Sequence, residues 1–139
     1  MAATDTIDVT WNEDGSATIL GRVTSRSGSG AATGVDGEGN WVQQSDLSSI
    51  TCAVFDRSNA NTSIATPSVT ISSVILDTPV TTNVIWTIDS TGYNFIVDLA
   101  AASFPIGGHI YAVEYYFTAT GGENWPSRYQ GEAKARIAG

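Results

Sequence analysis

Residues 84–116, VIWTIDSTGYNFIVDLAAASFPIGGHIYAVEYY, constrain the fold more than any other part of the chain. They hold one of the four tryptophans, four of the five tyrosines, two of the four phenylalanines and the only histidine. A buried aromatic side chain removes roughly 150–250 Å² from water, so aromatic mass this concentrated marks the core. Apolar residues run through 85–88, 94–99 and 109–118, and Ser90-Thr91-Gly92 and Phe104-Pro105-Ile106-Gly107-Gly108 punctuate them. Within 109–118, Tyr111, Val113, Tyr115 and Phe117 share one parity, while Glu114 and Tyr116 share the other. Period two is the signature of a strand with one packed face. Trp86, Tyr93 and Phe95 are expected to join the first set in the core, leaving Glu114 and Tyr116 outside.

The flanking chain repeats this pattern. Residues 7–11 and 17–24 alternate around Asn12-Glu13-Asp14-Gly15, which predicts a hairpin. Gly21 inside the second strand predicts a bulge or a close backbone approach. Residues 25–40 (SRSGSGAATGVDGEGN) are glycine-rich, with no large apolar side chain beyond Val35, and are expected to form a long loop unable to fold alone. A helical turn is expected near 45–49 and another near 99–104. Between them lie a continuous apolar strand at 50–56, a strand with a break at Ser72-Ser73 over 68–76, and a connection at 77–83. Gly121-Gly122-Glu123-Asn124 predicts a hairpin into the last strand, 128–137, which is expected to lie at a sheet edge. Seven to nine short strands separated by frequent turn signals predict an all-β, antiparallel, immunoglobulin-like sandwich with one long Gly-rich loop. A closed barrel is the structural alternative. At 139 residues the chain is expected to form one domain.

Composition narrows the functions. Only 14% of residues are charged, and the net charge is −8 with six basic residues. No basic patch is available for nucleic acid or an anionic membrane, so neither partner is expected. Low surface charge favours coverage by another subunit. The first eleven residues show neither a basic segment nor an apolar core, so no signal peptide is expected and synthesis is placed in the cytoplasm. Cys52, the single cysteine, reads as a buried small hydrophobe.

Chemistry-bearing patterns are sparse. His109 has no acidic neighbour in sequence and reads as structural. Asp36, Glu38 and Asn40 place oxygens at alternate positions, which is a weak calcium motif, but DG and GN pairs serve tight turns equally well. Nothing in the sequence pairs Asp77, Asp89 or Asp98 at a glycosidase separation. No enzyme activity and no cofactor is therefore expected. Trp41 and Trp125, beside the loop and at the hairpin, are expected to be the more exposed tryptophans. They give the alternative reading of a carbohydrate-binding module.

Gly21-Arg22-Val23-Thr24, residues 33–40, Ser49-Ile50, Val54-Phe55-Asp56, residues 86–90, Gly92-Tyr93-Asn94-Phe95, residues 104–108 and Tyr111 occur in an order that resembles small proteins of phage and prophage structural gene clusters. The order is also similar to the N-terminal β-sandwich of siphophage upper-baseplate proteins. The resemblance spans about residues 20–120, and its motifs are structural. It implies a virion location and a non-enzymatic accessory subunit, such as a capsid decoration protein or a neck, tail or baseplate component. Its partners would be other capsid or tail proteins in a homo-oligomeric assembly. The contacts are expected at Gly28, Gly30, Val35, Asp36, Glu38, Trp41, Trp125, Arg128, Lys134 and Arg136.

Overall fold

A computed structural model of the chain describes residues 6–34, 39–81 and 91–135. In chain order the first strands are β1 (Thr6–Asp8), β2 (Trp11–Asn12), β3 (Ala17–Gly21), β4 (Thr24–Ser25), β5 (Asn40–Trp41) and β6 (Leu47–Asp56). They are followed by β7 (Thr62–Ala65), β8 (Ile75–Val80), β9 (Tyr93–Leu99), β10 (Ile110–Ala119) and β11 (Asn124–Lys134). Single helical turns occur at Gln44–Asp46, Ile71–Val74 and Ala101–Ser103.

The larger sheet runs β1-β11-β10-β6-β7, with β2 also on β11, and the smaller runs β3-β9-β8. Strands β4 and β5 pair only with each other. The result is the immunoglobulin-like sandwich that the strand spacing predicts. The first two strands, β1 and β2, lie parallel to the last, and the other described pairings are antiparallel. β1 and β2 are two halves of one edge strand interrupted near Val9, whose N–H still bonds Gln130 O at 3.0 Å. Gly131 makes this crossing possible, because a Cβ there would sit 1.6 Å from Val9 O.

The core follows the alternation. Tyr111, Val113, Tyr115 and Phe117 of β10 are buried, while Tyr116 on the opposite parity is exposed. From the smaller sheet, Phe95 meets Tyr115 and Phe117 edge-on, with centroids 5.1 and 5.7 Å apart. Phe117 stacks on Trp125. Gly21 marks a close approach, since a Cβ there would lie 2.7 Å from the Tyr129 hydroxyl across the sandwich. Cys52 is buried, and burial pushes its thiol up to about 11, so at neutral pH it packs as a protonated hydrophobe. The Tyr115 hydroxyl finds no well-formed hydrogen bond among the described residues; its cross-strand neighbour is Cys52.

Three local expectations are corrected. Residues 7–11 and 17–24 do not form a hairpin: β2 joins β11 in the larger sheet and β3 joins β9 in the smaller. Trp11 decides this, because it stacks on Phe104 at 4.4 Å and its indole Nε1 donates to Tyr111 O at 3.1 Å. Those partners are distant in sequence, so local alternation cannot announce them. The last strand is also not an edge. β11 is flanked by β10 on one side and by β1 and β2 on the other. Pro79, expected in a connection, lies in β8, an edge strand of the smaller sheet that leaves room for a residue without an N–H. The strand expected around 85–88, with Trp86, lies outside the described residues.

Tyr111 completes the corner between the sheets. Its hydroxyl accepts from Ile106 N at 2.9 Å, pinning the crossover from β9 to the start of β10. Tyr111→Phe removes one buried acceptor and leaves Ile106 N unpaired, so it should cost about 1–2 kcal/mol in urea unfolding without altering the fold.

Candidate functional site: the glycine ribbon and its rim

The described part of the glycine-rich loop is held as a ribbon at its base. Thr24 and Ser25 pair with Trp41 and Asn40, and Ala32 bridges Asn40. Gly30 N donates to Trp41 O, and Trp41 N donates to Ala31 O, each at 3.0 Å. Glycine is required because the chain lies flat on this backbone. A Cβ on Gly28 would meet Trp41 O at 2.6 Å, and one on Gly30 would meet Trp41 Cβ at 2.7 Å. The composition that argues for disorder thus serves close packing. The residues missing large side chains are covered by Trp41, which is itself buried.

A fully buried amide holds the root of the ribbon. Asn94 of β9 accepts from Val23 N at 2.7 Å and donates to Val23 O at 3.0 Å and Val42 O at 2.9 Å. Val23 precedes β4, Val42 follows β5, and Val42 N donates to Val23 O at 3.0 Å. Both legs of the ribbon are therefore tied to the smaller sheet through one side chain.

Asp46 ties the ribbon to the opposite hairpin. Its carboxylate accepts from Ser29 N at 2.9 Å, from the Ser29 hydroxyl, and from Gln43 N at 2.8 Å. Its carbonyl accepts from Thr120 N at 2.9 Å, in the turn between β10 and β11. Burial pushes the Asp46 carboxyl up, but the Ser29 and Gln43 hydrogen bonds outweigh that and hold it below its ordinary value. Ribbon and hairpin together rim a cleft of about 340 Å³, lined among others by Ser27, Gly28, Asp46, Thr120, Glu123 and Trp125. Hydroxyls, backbone and two carboxylates make this rim polar. Its arrangement suits recognition of a complementary surface.

The residues expected to make contacts fall into three groups. Gly28 and Gly30 lie in the ribbon, and Trp41 and Trp125 support it from below. These tryptophans are 7% and 6% exposed, so neither offers the sugar-stacking face expected of them. Arg128 and Lys134 lie on β11 away from the rim, and Arg128 bonds Glu114 with Nη2–Oε2 at 2.6 Å. Val35, Asp36, Glu38 and Arg136 lie outside the described residues. Of the weak calcium set, therefore, only Asn40 is described, and its amide donates to Gly28 O at 3.3 Å.

At the other end of the sandwich the fold supplies what sequence proximity did not. His109 Nδ1 lies 2.8 Å from Oδ2 of buried Asp56, and Ser58 N donates to Asp56 Oδ1 at 3.0 Å. The Ser58 hydroxyl accepts from Ile110 N at 2.9 Å. This cluster clamps the turn after β6 to the start of β10, and the serine is engaged in holding backbone. Its partners are 53 residues apart, so only strand pairing reveals it. Asp77 accepts from Gln44 N and Asp98 from Thr18, so these two carboxylates serve separate structural bonds. Asp89 lies outside the described residues.

A scan against protein-family models, a search of curated proteins and a search of solved structures return no match to this chain.

Two outcomes test this construction. Asn94→Ala strands the Val23 N–H and the Val42 carbonyl in the core, while Val23 O keeps its bond from Val42 N, so at about 1–3 kcal/mol per orphaned group it should cost about 2 kcal/mol or more by thermal unfolding. It should also raise amide exchange across the ribbon. For Asp46, a lowered folded pKa means that its stabilisation is complete above the unfolded carboxylate value and is lost as pH falls through the folded one. Asp46→Asn should therefore melt below wild type at neutral pH, and the gap should close below about pH 4.

Proposed function

We propose that the chain is a non-enzymatic structural subunit of a tailed-phage virion, an accessory sandwich that docks on neighbouring capsid or tail subunits through the ribbon rim. The observation that carries this reading is the double anchoring of the ribbon, by Asn94 at its root and by Asp46 toward the hairpin. A surface fixed before binding loses less conformational freedom on docking than a disordered loop does. Ser27 and Ser29 are exposed, and their short side chains leave the rim open to a neighbour. The order of motifs from Gly21 to Tyr111 supplies the assignment to virion proteins by resemblance, and the low charged fraction suits a surface covered in an assembly.

Anchoring also changes the informative experiment. Deleting the ribbon would uncover Trp41 and confuse folding with docking. Gly121→Arg and Glu123→Arg instead add bulk at exposed rim positions; a Cβ on Gly121 meets nothing within 4 Å. Both variants should keep a melting midpoint within about 2 °C of wild type. Both should fail to co-sediment with particles produced from the gene cluster that encodes the protein. Normal incorporation of both would overturn the docking assignment.

A further inference from the structure

The outer face of the larger sheet is separate from the rim and carries its own pattern. Its centre is formed by the outward parity of β6, β10 and β11, strands of ten, ten and eleven residues. Tyr116 and Ile110 are 43% and 39% exposed on this face, although both are large apolar side chains on a central strand. Register places Tyr116 beside Pro126, and Ala112 beside half-buried Phe55. Between these apolar rows sits the Arg128–Glu114 pair, with each side chain about 30% exposed.

Charge and size both point to one occupant. The outward residues of β1, β10 and β11 include Arg128 and Lys134 against Asp8, Glu114 and Glu132, so this face is close to neutral on a chain of net charge −8. Two copies repel least when they meet here. The face also carries a cation and a carboxylate side by side, Arg128 Nη2 lying 2.6 Å from Glu114 Oε2. A two-fold axis between two such faces brings Arg128 of one copy to Glu114 of the other and repeats the contact in reverse. The three long strands extend about 33 Å and at about 4.8 Å spacing cover about 480 Å². The short strands β1, β2 and β7, of three, two and four residues, bring the face to about 600 Å² per copy, against the roughly 800 Å² per partner of a standard stable interface.

We infer that this outer face is the dimerisation surface of the protein, with a second copy as its occupant. Tyr116 supplies the apolar anchor, and Arg128 with Glu114 sets the register across the axis. The dimer is a property of the purified chain and does not depend on the virion reading: its loss with incorporation intact, or the converse, separates the two.

Sedimentation equilibrium of the full-length protein should show a dimer. Tyr116→Arg, Arg128→Glu and Glu114→Arg should each weaken it about tenfold or more, with little change in melting because Tyr116 is exposed and a partly exposed ion pair such as Arg128–Glu114 contributes little within one chain. Mixing Arg128→Glu with Glu114→Arg should restore a dimer, because the swapped charges pair only between chains of different type. A wild-type monomer up to about 100 µM, well above the micromolar range of specific complexes, would overturn the inference. So would a dimer that all three substitutions leave intact, or a mixture that stays monomeric.

Discussion

Asn94 is wholly buried, and its amide makes three hydrogen bonds to the main chain at Val23 and Val42. A buried amide without partners would cost several kcal/mol, so this side chain and the two segments it binds are stable only together. That dependence organises one end of the molecule. The ribbon can leave the sandwich and return to it because a single group in β9 satisfies the backbone at both crossings. Trp41 then has a fixed position, the glycines have a surface to lie on, and Ser29 is delivered to Asp46. The cleft beside the hairpin is the outcome of this sequence of constraints.

The opposite end uses a different solution to the same problem. There Trp11 stacks on Phe104, which meets Tyr111 edge-on, the Tyr111 hydroxyl and Trp11 indole bond to main chain, and Asp56 with His109 closes the turn after β6. Both ends are rigid, and each spends its polar groups on the fold. The rim and the outer sheet face are the two surfaces proposed for partners. These two surfaces are distinct, so a chain of this design can join its own copy through one and another subunit through the other.

Much of the sandwich is legible in the sequence because strand burial has period two. The parity of Tyr111, Val113, Tyr115 and Phe117 identifies the packed face of β10, and Gly122-Glu123 identifies the turn that follows it. The candidate site is less legible. Gly28 and Gly30 read as flexible because composition reports a lack of apolar mass but not the tryptophan that covers the segment from another strand. Asn94 stands inside the motif Gly92-Tyr93-Asn94-Phe95, yet its role depends on segments some fifty and seventy positions away. A polar residue inside an apolar strand was the available signal. Trp41 and Trp125 were placed outside because they flank turns, but stacking and covering contacts draw them in.

The sequence by itself determined the all-β class, the parity of the long strands, the turns and the acidic, weakly charged character of the chain. These follow from local geometry and composition, which act over two to five neighbouring residues. The tertiary structure alone decided which strands share a sheet, that the N-terminal strand lies parallel to the last one, that the glycine segment is a ribbon, and that Asp56 meets His109. Each of those outcomes rests on hydrogen bonds and ring contacts between residues far apart in the chain. Several local arrangements satisfy the same alternation, and only long-range burial selects among them.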